Sequence, residues 1–344
     1  MFVLDQDFLR KRLALFLGEQ GLVPETVLGA DIWRALEAPH KLLAPLSAAN
    51  SAQEIPAGIW ALIPLYIARY CAPEVNAELI GCVALCSECF LCALDLLDDV
   101  EDDDPTPLRQ QLGDARLLNV ATALLALASQ SLLSAPRYGL SNERLLPLLG
   151  VLHEQWLRAT QGQHRDLLVE KQAMQDVSSE ECLRITEDKS GSLLRLACSL
   201  ATISTGAPAK IVDLFASAGL QVGIAYQLNN DIRDLSLLLK PELASSDDTP
   251  KTDLSHNKKT LPIILAAERL AYHQQRAPVD TQGDVVAQSY DEALKASLAV
   301  AFYYRSRAAN IVNEIEDVYS VPMPPELRFL LSLDGVCPSS SNRG

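Results

Sequence analysis

The chain has 344 residues, a net charge of −15, and 49% hydrophobic residues of which few are aromatic. So acidic a chain argues against nucleic acid and against an anionic membrane surface as partners. An anionic substrate would need cations recruited locally, from a metal or from a few placed Lys and Arg. The core is drawn from Leu, Ala, Ile and Val at helical spacing, with almost no alternating β-branched runs. That pattern predicts an all-α fold, one domain over 1–336 and a disordered tail at 337–344.

In chain order, residues 5–20 and 24–37 read as amphipathic helices, the second opening at Pro24. Residues 46–57 are a small-residue loop, and 58–71 (GIWALIPLYIARYC) is apolar with Arg69 as its one charge. A helix over about 76–102 ends in a string of acids, then Pro105 and Pro107 break the chain. Further helices are expected at about 113–134, 142–170, 179–205 and 208–240. The polar segment 241–257 reads as mobile, helices resume at 258–277 and 288–319, and PMPPELRFLLSL forms a short last one.

The apolar runs at 79–97 and 117–133 are interrupted by polar residues and read as buried core helices rather than membrane spans. The first 13 residues carry too many charges for a secretory signal. Of the eight cysteines, Cys82, Cys86, Cys89 and Cys92 lie on one helix among Leu, Ala and Val. They are expected as small buried apolar residues, and unpaired cysteines at this density point to a reducing, cytoplasmic setting.

The stretch 88–104, ECFLCALDLLDDVEDDD, carries the first chemistry. Asp98 and Asp102 are four apart and share a helix face, with Asp99 and Asp103 alongside. Like charges at that spacing repel, so the arrangement costs stability unless a cation joins it. Carboxylate oxygens are hard ligands of the kind Mg²⁺ takes. A second set lies in YQLNNDIRDL at 226–235, where Asn230, Asp231 and Asp234 repeat the i, i+1, i+4 spacing of Asp98, Asp99 and Asp102. Two such triplets on helices facing one another would hold divalent ions with a diphosphate between them.

Three cationic or polar stations lie between and after the acid sets, and a lysine with a hydroxyl neighbour at a helix start has the chemistry of a phosphate grip. GQHRDL at 162–167 puts Gln163 and Asp166 on one helix face. DKSGSLLRLA at 188–197 offers Lys189 and Ser190 at the head of an apolar run, and HNKKTLP at 256–262 offers Lys258 and Thr260.

Glu88, DDVED, GQHRDL, DKSGSLL, GIAYQLNNDIRD and KKTLP, in that order over about 58–265, resemble the trans-polyprenyl synthase family of the class I isoprenoid synthase fold. The resemblance implies an all-α bundle around a central apolar cavity, a homodimer, and about three Mg²⁺ ions that ionise an allylic prenyl diphosphate of C10–C20 length. It implies Asp98, Asp99 and Asp102 as one set of metal ligands and Asn230 and Asp234 as the other, with Asp231 beside them. Lys189, Ser190 and Lys258 would bind the diphosphate with Gln163, and Gln227 would lie beside the reacting carbons. The Leu-, Ala- and Cys-bearing face of 82–94 would wall off water, with Ala93 leaving room for a longer chain.

The departures are as informative. Where that family carries a basic GGKRxRP motif for isopentenyl diphosphate, this chain has AGIWALIP at 57–64, with Trp60, Ala61 and Ile63 at the basic positions. The two arginines and glycine that follow the family's first aspartate motif are also absent from PTPLRQQLGDA. The expectation is therefore an enzyme that ionises its allylic diphosphate without isopentenyl diphosphate, in the manner of a terpene synthase. Transfer to isopentenyl diphosphate or another acceptor is the alternative, and a non-catalytic subunit that regulates a prenyl synthase is a third.

Overall fold

The computed structural model describes residues 2–45, 58–239, 258–274 and 282–332. The expected loop at 46–57, the segment 241–257 and the tail at 337–344 lie outside the described residues. Within them the secondary structure is helical, with no strand. In order these are α1 (Phe2–Glu19), α2 (Val27–Leu36), α3 (Ile59–Cys71), α4 (Ala77–Glu101), α5 (Pro107–Leu112) and α6 (Asp114–Ser134). Then come α7 (Asn142–Val169), α8 (Ser179–Thr186), α9 (Ser192–Thr205), α10 (Ala209–Leu239), α11 (Leu261–Gln274), α12 (Gln282–Tyr319) and α13 (Pro325–Ser332).

Several boundaries differ from expectation for local reasons. Helix α2 opens at Val27 rather than Pro24, because Thr26 caps it by accepting from the Gly29 amide. Residues 107–112 form an unexpected short helix, with Thr106 as its cap, Pro107 at its first position and Gly113 in a positive-φ conformation at its end. The helix read over 179–205 is interrupted by a π-turn at Glu187–Gly191, and α11 starts at Leu261, which leaves Lys258–Thr260 ahead of it.

The chain divides into two compact units, each assembled from separated stretches. The first holds residues 1–154, 196–216 and 311–344. Its centre is α4, whose residues Leu79–Ala93 are all buried, so that it is enclosed around its whole circumference, with Ser87 and Glu88 the polar residues of that stretch. It packs most extensively against α6 and α3. Cys82, Cys86, Cys89 and Cys92 are buried free thiols, as their setting among apolar residues predicts. Asp5 ties α1 to α3 by accepting from the Tyr66 hydroxyl and from Arg69, both at 2.6 Å.

The second unit holds residues 155–195 and 217–310. Its core joins Val169, Cys182, Ile224, Leu228, Ile264 and Ala301 from α7, α8, α10, α11 and α12. By length and composition α4, α10 and the stretch 114–138 that contains α6 are each apolar enough to cross a membrane. Inside the fold, 89% of the apolar window of α4 is buried, against 50% for 114–138 and 61% for α10. The core-helix expectation therefore fits α4 best.

Candidate active site

In the first unit, α4 runs into the acidic string with no basic residue in its last turn. Asp98 and Asp99 lie in that turn, and Asp102 is the C-cap, its amide donating to the Asp98 carbonyl at 2.8 Å. Asp98 and Asp102 each have a carboxylate oxygen shielded from solvent. Asp99 accepts from the Thr106 hydroxyl at 3.0 Å. Burial pushes the Asp99 carboxyl up to about 6; the Thr106 bond opposes this, and the negative charges of Asp95, Asp98 and Asp104 add to it.

The next acid is used differently. Asp103 adopts a positive φ, which turns the chain away from α4, and it pairs with Arg109 at 2.6 Å. The same guanidinium bonds Asp114 at 2.7 Å and the Asp104 carbonyl at 3.2 Å. The acids past Asp102 therefore hold α5 and the start of α6 in place, and Arg109 is committed to them.

The acid set fits a hard divalent cation, because oxygens of Asp98 and Asp102 are shielded from solvent and neighbouring negative charges raise the proton affinity of Asp99. No three acidic, His or Cys side chains converge on one point among the described residues. A bound Mg²⁺ would therefore draw the rest of its shell from substrate phosphate and water, as Mg²⁺ commonly does.

In the second unit Asp166, Lys189, Ser190, Gln227 and Asp231 are tied together by hydrogen bonds and the chain itself. Lys189 and Ser190 lie in the π-turn, which is held between glycines. A Cβ on Gly162 of α7 would stand 2.5 Å from the Lys189 amide nitrogen, and one on Gly223 of α10 would stand 2.8 Å from the Ser190 carbonyl. Only glycine allows these backbones so close. Lys189 Nζ donates to Asp166 at 3.1 Å. The Ser190 hydroxyl donates to Gln227 Oε1 at 3.1 Å, and Gln227 Nε2 donates to Asp231 Oδ1 at 2.8 Å. Asp231 is buried, while Asn230 and Asp234 are half-buried on the same helix. Gln163 has both amide atoms buried and without a hydrogen-bond partner among the described residues.

Lys258 is half-buried just ahead of α11. Its neighbour Lys259, which sequence reasoning passed over, is the buried one. Lys259 Nζ donates to the Glu170 carbonyl at 3.1 Å, and its own carbonyl accepts from the Cys182 thiol at 2.9 Å. Burial lowers its pKa. Two other groups carried no separate sequence signal. One is Lys41, which pairs with Asp95 one turn before Asp98. The other is the Glu187–Asp188 pair, which is bound by arginines of α7.

At the basic-motif positions, α3 begins at a left-handed Gly58, with Ala61 and Ile63 buried and Trp60 half-buried. One small hollow in this unit, about 300 Å³, is lined by Leu65, Arg69, Pro73, Val75, Ala77 and Ile80. It is not lined by the 82–94 face, where Ala93 and the cysteines are fully packed.

The chain is 28% identical over 227 residues to a geranylfarnesyl diphosphate synthase of Aeropyrum pernix, covering 64% of this chain and 68% of that one. It is 31% identical over 146 residues to the tryptophan prenyltransferase ComQ of Bacillus spizizenii, covering 42% and 47% respectively. In fold it is similar to a geranylgeranyl pyrophosphate synthetase from the archaeon Geoglobus acetivorans, with a TM-score of 0.68, 19% identity, and 95% and 96% of the two chains covered. The polyprenyl synthetase model matches residues 59–298. With that match over most of its length, on the all-α fold and around both acid-bearing helices, the chain belongs to the polyprenyl synthetase family and is an enzyme of the class I isoprenoid synthase type.

Proposed function

We propose that this enzyme ionises an allylic prenyl diphosphate of C10–C20 length in the presence of Mg²⁺ and transfers the prenyl group to an acceptor other than isopentenyl diphosphate. In the first unit Asp98, Asp99 and Asp102 would hold Mg²⁺, and in the second unit Asn230 and Asp234 are the proposed ligands. Bound there, Mg²⁺ supplies positive charge to the leaving diphosphate. Within the second unit Lys189, kept in place by Asp166, and Lys258 would bring ammonium charge to a diphosphate, and Gln163 an amide whose atoms have no partner among the described residues. The Ser190–Gln227–Asp231 chain orients the Gln227 amide at the reacting carbons.

The relatives' names support prenyl transfer over the terpene-synthase expectation, since the curated matches include geranylfarnesyl and farnesyl diphosphate synthases. The observation that carries the acceptor reading is the start of α3. Buried Ala61 and Ile63 offer no charge to a second diphosphate, and bringing one against them would carry a desolvation penalty. Arg109, the first cation after the aspartates, is already spent on Asp103 and Asp114. A relative named as a tryptophan prenyltransferase makes an indole-bearing peptide the first acceptor to try.

The test is to incubate the pure protein with Mg²⁺ and C10, C15 or C20 allylic diphosphates. Isopentenyl diphosphate or a tryptophan-containing peptide is added or withheld, and pyrophosphate and organic products are followed. Prenylated peptide is the expected product. Chain-elongated product with isopentenyl diphosphate would overturn the acceptor assignment, and absence of pyrophosphate under every condition would overturn the ionisation step as well.

A further inference from the structure

A π-turn is a rare element with no inherent preference over the α-helix, and it persists where outside contacts hold it. At Glu187–Gly191 those contacts come from α7. Arg158 reaches across with Nη2 on Glu187 at 2.6 Å and Nε on Asp188 Oδ1 at 2.7 Å. Arg165 takes the other carboxylate oxygen of Asp188 at 2.8 Å. The Ser192 hydroxyl bonds the Asp188 carbonyl at 2.6 Å. Asp188 is thus fixed through both side-chain oxygens and its backbone, with its side chain only 16% exposed.

Asp188 is also the residue joined directly to Lys189. A return from π to α geometry would remove one residue from the turn and rotate the following side chains by about 100° around the helix. Lys189 would leave Asp166, and Ser190 would leave Gln227. The glycines at 162 and 223 permit the close approach but select no register by themselves. Two arginines gripping one carboxylate do select it, because a bidentate or doubly held carboxylate tolerates little displacement.

We propose that Arg158 and Asp188, with Arg165 in support, are positioning residues that hold the 187–191 turn in its π register and so aim Lys189 at the substrate diphosphate. This inference rests on the diphosphate-gripping role proposed for Lys189. Neither Arg158 nor Asp188 needs to touch substrate.

The experiment uses the full chain with two readouts. One is calorimetric binding of inorganic pyrophosphate in the presence of Mg²⁺; the other is steady-state kinetics on an allylic diphosphate. Arg158→Met and the isosteric Asp188→Asn are expected to weaken pyrophosphate binding about tenfold and to lower kcat. Arg158→Lys, which keeps the charge and one bond, should recover part of the loss. An ion pair with a purely structural role would shift the melting temperature and leave pyrophosphate affinity within twofold of the parent, and that result overturns the proposal. Failure of both Arg158→Met and Asp188→Asn to fold would overturn it too, since the pair would then be structural. Lys189→Ala separates the two levels. Undiminished binding and turnover in that variant removes the grip itself, whereas a loss there beside parent-like Arg158→Met removes the positioning role alone.

Discussion

Ser190, in the π-turn, donates to Gln227, on α10, at 3.1 Å, and Gln227 passes its own amide proton toward Asp231 at 2.8 Å. The Asp231 carboxylate accepts only, so it takes the Nε2 end of the Gln227 amide and leaves Oε1 to accept from the Ser190 hydroxyl. The amide is therefore oriented before any substrate arrives. Gln227→Leu is expected to lower kcat by about tenfold or more. Loss of the donor to Asp231 should also reduce stability by about 1–2 kcal/mol. Denaturant titration and single-turnover kinetics check the two effects separately.

Asp98→Ala removes one of the oxygen ligands proposed for the metal while leaving α4 packed by Leu79–Ala93. Turnover should fall by about a hundredfold or more, with the helical circular dichroism unchanged. An active variant would strip Asp98 of its metal role.

Gly162→Ala places a methyl group 2.5 Å from the Lys189 amide nitrogen, a backbone atom with no room to move aside. The turn must shift, at a cost of about 1–3 kcal/mol. A lowered melting temperature together with weaker pyrophosphate binding is expected. Parent-like values in both would mean the two helices are not held at this separation.

Glu88 is fully buried in α4, where one carboxylate oxygen accepts from the Leu42 amide at 2.6 Å. Burial pushes its carboxyl up to about 7, against the opposing pull of the Lys41 ammonium. The native state therefore binds the proton more tightly than the unfolded chain does. The stabilisation from that proton is full below about pH 4.5 and is lost as the pH rises through about 7, on the order of 3 kcal/mol in all. Glu88→Gln keeps an acceptor for Leu42 without the ionisation. The stability difference between parent and variant should move in the variant's favour from pH 5 to pH 8, and a difference independent of pH would remove the shift from Glu88.

Sequence alone determined most of the helices, though not the short one at Pro107–Leu112, because buried positions recur at 3.6-residue spacing whatever surrounds them. It also determined the two acid sets, since Asp98, Asp99 and Asp102 and Asn230, Asp231 and Asp234 are each local in the chain. The loss of positive charge at Trp60, Ala61 and Ile63 is likewise a matter of residue type. Tertiary structure decided which acid of the 98–104 run is structural, by bringing Arg109 to Asp103 and Asp114. It decided that Lys259 is the buried lysine of its pair, held by the Glu170 carbonyl 89 residues away. It also decided that a continuous helical pattern breaks into a π-turn at 187–191, where Arg158 meets Asp188 across 30 residues. Periodicity reports which face of a helix is buried. The partner that reaches that face depends on the path of the intervening chain and on where glycines let two backbones meet, and no local pattern encodes either.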